Sequence, residues 1–484
     1  MTEDNIKEDN MTKVKKPRKG ISLKHWLGYM CGDFGGCMTF ALMSSIVTRY
    51  YTNVLKIDDN ILFILIMIWN VWDAINDPLM GTLMDKMFSR SKNPKGKFRP
   101  WILRSTPLVA VTAIAFWTLP TFFDGIKMLV VLFLCKILYE GAYTMFNIPM
   151  GSLLSAMSTN DQERASLSSA RGVGSALGNA IPGIVGVEII KHYGTENAEG
   201  YRVVGVACAL VGFVICLLHY YFTEERNPQG LGTTDENIKW SDVFVSLRKN
   251  PLFLALCIHG VCVCAMQAIF NSVATYTYQD VYGNIKLMEM MYPASAPAMI
   301  FIFSLAPWLS KKIGLKKLIE YSLILGSVVF AVLFLLVRVT EVNAVWFLIL
   351  SSLALGIPTV SIQMQWGLVA EAIDYNEAVI GKRAEGTIYG TFNLARRIGG
   401  GIGQGLLIKM LAWFDYDAAL SEAGQIQSNF TVLGIHLSNA LLPAIFVLGS
   451  WIAFRFVWKI TPEIKDKIAQ KKEAERRLIE DIEK

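Results

Sequence analysis

The sequence predicts an all-α membrane protein whose twelve spanning helices fall into two halves of six. Three observations carry this. Of 484 residues, 53% are hydrophobic, and the mean hydropathy is +0.39, too apolar for a soluble chain of this size. Apolar runs of about 20 residues, the length that crosses a bilayer, recur twelve times along the chain. The longest polar connection, 223–250, follows the sixth run and divides the sequence.

The runs lie near 25–50, 60–84, 101–122, 126–157, 165–190 and 201–222, then 251–280, 288–310, 317–338, 343–370, 386–414 and 431–458. Loop charge orients them. Lys86, Arg90, Lys92, Lys95, Lys97 and Arg99 crowd the second-to-third connection, and Lys311, Lys312, Lys316 and Lys317 crowd the eighth-to-ninth. Lys382 and Arg383 follow the tenth run, whereas 415–431 has neither Lys nor Arg. Both termini are therefore expected in the cytoplasm. The division reads as a cytoplasmic tail (1–24), a six-helix bundle (25–222), a cytoplasmic linker (223–250), a second bundle (251–460) and a charged cytoplasmic tail (461–484). The tail before the first run has no apolar signal-peptide core. Equivalent basic loops in the two halves suggest an internal repeat, as in transporters with a site near the midplane.

Charge inside these runs marks the chemistry, because an ionised group in a bilayer must be paired or functional. The first run holds Asp33, flanked by Gly32, Gly35 and Gly36, with Cys37 and Arg49 beyond it. Asp33 is either functional or paired with an arginine elsewhere. The second run carries Asp73, Asn76 and Asp77. Four-residue spacing stacks both carboxylates on one helix face, and the apolar flanks argue against a helix end lying in the headgroups. The arrangement suits a small cation. Lys136 and Glu140 in the fourth run are four apart and read as a structural pair. Thr144 offers a hydroxyl oxygen to a cation, and Asn147 suits a hydroxyl-rich ligand. In the fifth run Arg164 reads as an interfacial, snorkelling residue, while Arg171 lies deeper. Gln363, Gln365 and Trp366 are expected to end the tenth run, and the eleventh holds Tyr389, Asn393, Arg396 and Arg397. Adjacent arginines point about 100° apart on a helix, so one is free to face a central cavity while the other packs or pairs.

Several classes are excluded. The net charge of +6 sits in loops and tails, so it is no nucleic-acid footprint. The eight cysteines lie in apolar runs without zinc spacing. No G-x-x-x-x-G-K-[ST] is present, so ATP does not drive the protein. No metalloprotease or nucleophile-elbow motif occurs, which argues against a membrane enzyme.

In order and spacing, the segment Trp72–Pro78 with Gly81, then Gly96–Leu103, Asn147–Pro149, Asp374–Glu377 and Gly381–Gly386 resembles the glycoside–pentoside–hexuronide:cation symporters of the major facilitator superfamily. The resemblance implies a coupling-cation site at Asp73, Asn76, Asp77 and Thr144, with Asp73 and Asp77 as the metal ligands if the ion is sodium. It implies that Arg171, Trp366, Asn393 and Arg397 border the sugar site or link the two sites. The sugar-binding acids of the melibiose carrier fall on Cys37 and Asn147, and an aromatic after the Asn-Ile-Pro motif falls on Gly151. Those departures count against melibiose itself, and Asn147 with the Arg396–Arg397 pair looks more like the bacterial glucuronide carriers of the family. The candidate substrate residues are thus Asp33, Cys37, Asn147, Arg171, Trp366, Asn393, Arg396 and Arg397. The expectation is a monomeric, multi-pass symporter of the bacterial cytoplasmic membrane. It imports a glycoside, a glucuronide or other hexuronide being favoured, with sodium or protons. No cofactor, ATP or nucleic acid is implied. A neutral xyloside or galactoside, or uncoupled facilitation, is the alternative. The neutral oxygens of Asn76 and Thr144 favour sodium over a proton.

Overall fold

The computed structural model describes residues 20–89, 96–158, 160–194, 196–226, 241–284, 286–291, 305–381, 384–422, 425–470 and 473, and among these there is no strand. The long helices are α1 (Leu23–Ser45), α2 (Asp59–Ser89), α3 (Arg99–Thr118), α4 (Gly125–Met157), α5 (Asp161–Ile181, continuing to Tyr193) and α6 (Ala198–Phe222). In the second half they are α7 (Pro251–Tyr276), α8 (305–313), α9 (Leu315–Val339), α10 (Ala344–Ile380), α11 (Glu385–Trp413) and α12 (Asn429–Ile452, with a wider turn at Leu437–Leu441). Among the described residues, eight helices are long and apolar enough to cross a membrane by length and composition. That set omits α8, described over 305–313 only, and α1, α2 and α11, which carry Asp33, Asp73 with Asp77, and Arg396 with Arg397.

Side-chain caps set the boundaries between closely spaced helices. The Asn160 carboxamide accepts from the Gln162 and Glu163 amides, Asn250 from Phe253, and Asn343 from Trp346. Each satisfies N–H groups that a first turn leaves unpaired. The α10 helix ends at Gly381, whose φ of 77° is left-handed, a conformation open to glycine at little steric penalty.

Small residues govern helix packing, since bare backbones approach closely in a membrane. Gly174 and Gly178 of α5 lie against the α1 backbone at Met30 and Phe34. Gly399 and Gly403 of α11 lie against Val261 and Ala265 of α7. The halves meet the same way: Gly81 of α2 abuts Gly386, and Gly390 abuts the Asp77 carbonyl.

At the end of the bundle where α1 begins, charge reinforces this contact. Lys97 Nζ lies 2.5 Å from Glu385 Oε2, with both side chains almost wholly buried. Asp85 accepts from the Gly386 and Thr387 amides and the Thr387 hydroxyl, each at 2.7 Å, so α2 caps the start of α11. Glu225, just past α6, accepts from the amides of Lys97, Phe98 and Arg99 at the start of α3. Burial raises the carboxyl of Glu225, and that of Asp85 to about 6.

Two expectations need correction here. Arg164 is not interfacial: it is 1% exposed and its Nη1 lies 2.8 Å from Asp374 Oδ2 across the two halves. Nor do Gln363, Gln365 and Trp366 end a helix, because α10 runs on to Ile380. Glu371, Asp374 and Glu377 lower the hydropathy of that stretch, but Asp374 is buried and neutralised by Arg164, so the helix continues inside the protein. Arg90, Lys92, Lys95, Lys382, Arg383, the linker from 227 to 240, residues 292–304 of the eighth run, and most of both tails lie outside the described residues.

Candidate functional site

Two linked clusters lie where the halves meet, joined by α11. The first is built on the shared face of α2. Asp77 and Asn76 are 4% and 2% exposed, facing α4 and α11 in the protein rather than lipid. Asn76 Nδ2 donates to Thr144 Oγ1 at 2.8 Å, and that hydroxyl donates to Asp77 Oδ1 at 3.1 Å. From the other half comes Arg397, its Nη1 2.8 Å from Asp73 Oδ2 and its Nε 2.9 Å from Asp77 Oδ2. Its Nη2 reaches Glu140 Oε2 at 3.9 Å. Lys136 Nζ donates to Glu140 Oε1 at 2.6 Å, so the pair read from spacing is formed, but Glu140 also faces the cluster.

Three carboxylates (Asp73, Asp77, Glu140) thus face two cations (Arg397, Lys136), a formal excess of one negative charge. Asp73 Oδ1 and Glu140 Oε2 are buried without a hydrogen-bond donor. Buried acceptors of that kind seek a proton or a cation. The carboxylates are arrayed about the guanidinium, and among the described residues no three His, Cys, Asp or Glu converge as a metal cluster.

The second cluster lies between α1, α4, α5, α10 and α11. Arg171 donates from Nε to Asp33 Oδ2 at 2.5 Å and from Nη2 to the Tyr389 hydroxyl at 2.7 Å. Asp33 therefore has the arginine partner that its position demanded. The Arg171 guanidinium stacks on Trp366, 3.6 Å from the ring centroid, a cation–π contact. The rings of Trp366 and Tyr389 stack with centroids 5.3 Å apart, and the Tyr389 hydroxyl donates to Asn147 Oδ1 at 3.3 Å. Cys37 contacts the Ser175 hydroxyl at 3.7 Å. Arg396 lies over the same indole at 5.4 Å, with its Nε buried and unpartnered. It forms no ion pair among the described residues. Asn393 is buried one helical turn before Arg397 and has no hydrogen-bond partner among the described residues.

Ten of the twelve candidate residues are joined by contacts within these two clusters; Cys37 contacts Ser175 instead, and Asn393 is placed by its position on α11 alone. Glu140, read only as a structural partner of Lys136, and Tyr389, named on the eleventh run without a role, also stand in these clusters. Glu140 had a signal: it precedes Thr144 by four residues and so shares its helix face. Tyr389 had none, because its place depends on Gly151. A methyl group at Gly151 would overlap the edge of the Tyr389 ring at Cε2. The aromatic expected on α4 is thus supplied from α11, into the space that glycine leaves.

The family described as MFS/sugar transport protein matches residues 28–461. A glucuronide carrier protein homolog of Escherichia coli (strain K12) is 27% identical over 485 residues, covering 96% of this chain and 99% of that protein. An isoprimeverose transporter of Lactiplantibacillus pentosus is 25% identical over 473 residues, covering 94% of this chain and 92% of that protein. Among solved structures, the major facilitator transporter FucP in the outward conformation superposes with a TM-score of 0.62 at 12% identity, covering 90% of this chain and 99% of that one.

Proposed function

Because this chain belongs to the MFS/sugar transport protein family, we propose that it is a cation-coupled symporter importing an acidic glycoside, a glucuronide or other hexuronide. The observation that carries the substrate assignment is Arg396, beside the Trp366 indole with no carboxylate of its own. Asp33 already neutralises Arg171, so the pocket keeps one uncompensated guanidinium, and a uronic-acid carboxylate matches its bidentate geometry. Trp366 supplies a flat apolar face for the sugar ring, and Asn147 and Asn393 supply amides for its hydroxyls. The glucuronide carrier homolog supports the same class.

The excess negative charge around Asp73 supports coupling to one monovalent cation. One monovalent cation imported with one uronate moves no net charge, so the cation's own concentration gradient is the driving force. A ten-fold gradient is worth about 1.4 kcal/mol, enough for roughly ten-fold accumulation. Sodium is the first reading, with Asp73 and Asp77 as ligands and Asn76 and Thr144 supplying neutral oxygens. A proton is the second reading, favoured by the hydrogen-bond chain Asn76–Thr144–Asp77, which already occupies the Thr144 hydroxyl. The closed contact at Lys97–Glu385 and Arg164–Asp374 corresponds to a sealed cytoplasmic side, with both termini cytoplasmic.

The test is initial uptake into proteoliposomes at fixed pH, with and without sodium, under an imposed potential, in the presence of paired competitors. Methyl β-D-glucuronide is expected to inhibit more strongly than methyl β-D-glucoside. The reverse order would replace the acid by a neutral glycoside. Equal rates with and without sodium, with alkalinisation of the medium on substrate addition, would assign the proton.

A further inference from the structure

A cavity of about 390 Å³ lies between α7 and α11 at the end of the bundle remote from the start of α1. Its volume falls in the range of small-molecule sites, roughly 300–1,000 Å³. Gln404, in its wall, is seven residues beyond Arg397 on α11, roughly 10 Å along the axis. Spacings of four and seven place Asn393, Arg397, Gln404 and Leu411 on one helix face. The cavity therefore stands above the two clusters, on the side that the proposed function makes extracellular.

Its chemistry differs from that of the inner pocket. Asp280 is held in place by Tyr416, whose hydroxyl donates to Oδ2 at 3.0 Å, and by Ser421, whose hydroxyl donates to Oδ1 at 2.5 Å. Gln279 Nε2 donates to that Ser421 hydroxyl at 3.1 Å, so the carboxylate and an amide are fixed side by side. Tyr276 meets Tyr416 edge-on at 5.0 Å and 89°, which leaves ring surface for a ligand in the cavity wall. The lining contains one carboxylate and two glutamine amides, and no Lys, Arg or His. A fixed carboxylate accepts from vicinal hydroxyls and repels an acid, while an aromatic face suits the C–H face of a sugar ring.

We propose that the α7–α11 cavity is a second carbohydrate subsite that holds a neutral, hydroxyl-rich ring. That ring is a free neutral glycoside or the non-acidic part of a larger one on its way to the inner pocket. The ligand class rests on the transport reading, but the site is defined by its own residues. Its charge preference is opposite to that of Arg396, so the two subsites separate the neutral and acidic parts of a substrate.

The experiment is equilibrium dialysis of the full-length protein in detergent with two probes, methyl β-D-xyloside and methyl β-D-glucuronide. Asp280→Asn is expected to weaken xyloside binding about ten-fold, the scale of one hydrogen bond to a charged group. Gln404→Ala, at an exposed position, is expected to weaken it by roughly two- to ten-fold, the scale of a neutral bond. Glucuronide binding is expected to hold or tighten in Asp280→Asn, because a like charge has gone. Xyloside affinity equal to wild type in both variants would overturn the proposal, as would no xyloside binding to wild type. Wild-type protein that binds xyloside through Asp280 but transports neither probe in proteoliposomes would refute the transport reading and keep the subsite.

Discussion

Gly151→Ala is the smallest change expected to dismantle the inner pocket. The added methyl would lie far inside contact distance of Tyr389 Cε2 and Cζ, so one side must move. Where the Tyr389 side chain yields, it takes its 2.7 Å bond from Arg171 and its stack on Trp366 with it. A hydrogen bond to a charged group contributes about 1.5–3 kcal/mol, and an aromatic pair about 0.5–1.5 kcal/mol. With partial relaxation, about 2 kcal/mol of pocket pre-organisation is lost; where substrate binding must restore the geometry of Arg171 and Trp366, that loss appears as up to a roughly 30-fold higher substrate KM. The assay is substrate exchange in proteoliposomes, with thermal unfolding of the same preparations as a folding control. Tyr389→Ala alone should lose as much, and the double variant should lose no more, since the methyl then has nothing to displace. Double-mutant cycles detect such coupling between contacting residues. An unchanged KM in Gly151→Ala, or losses that simply add, would refute the argument.

Three further outcomes follow from the same geometry. Asp73→Asn or Asp77→Asn should abolish uphill accumulation while exchange survives, since the inner pocket is built from other residues; normal accumulation by either variant would sink the cation-site reading. Lys97→Ala breaks the buried Lys97–Glu385 ion pair, a loss of about 3–5 kcal/mol. It should lower the thermal midpoint, and Lys97→Met with Glu385→Leu should recover most of it. Burial holds the Asp85 carboxyl at about 6 where α2 meets α11, against about 3.9 once hydrated. This group's contribution to the closed contact is thus fully present below about pH 4 and lost as pH rises through about 6. Spin labels across the α2–α11 contact should report more of the closed population at pH 5 than at pH 7.5, and Asp85→Asn should remove the difference.

The all-helical membrane class was legible because bilayer length and hydropathy act locally. The Asp73–Asp77 face was legible for the same reason, since four-residue spacing fixes it before any neighbour is known. What could not be read depended on partners far away in sequence. Arg164 looked interfacial until Asp374, 210 residues on, was brought against it. The α10 helix looked ten residues shorter because its last turns are charged, and only their burial between the halves explains why they stay helical. Tyr389 belongs to the inner pocket through a glycine on α4, a complementarity that no periodicity within either helix reveals.

Arg397 makes the coupling proposal a question of charge balance. With the guanidinium between Asp73 and Asp77, the cluster carries one excess negative charge, which a sodium ion or a proton cancels. If the halves part there, α11 withdraws Arg397 and leaves three carboxylates facing Lys136 alone, an excess of two. Charges so placed repel one another strongly in a medium of low polarity, so separation without a bound cation is disfavoured. Arg396, the neighbouring residue on the same helix, lies over the Trp366 indole, so the movement that exposes the carboxylates also shifts the group proposed to hold the substrate acid. A substrate carboxylate on Arg396 and a cation at Asp73 would then each lower the barrier that the other meets. That mutual dependence is what symport requires, and it follows from two adjacent arginines on one rigid helix.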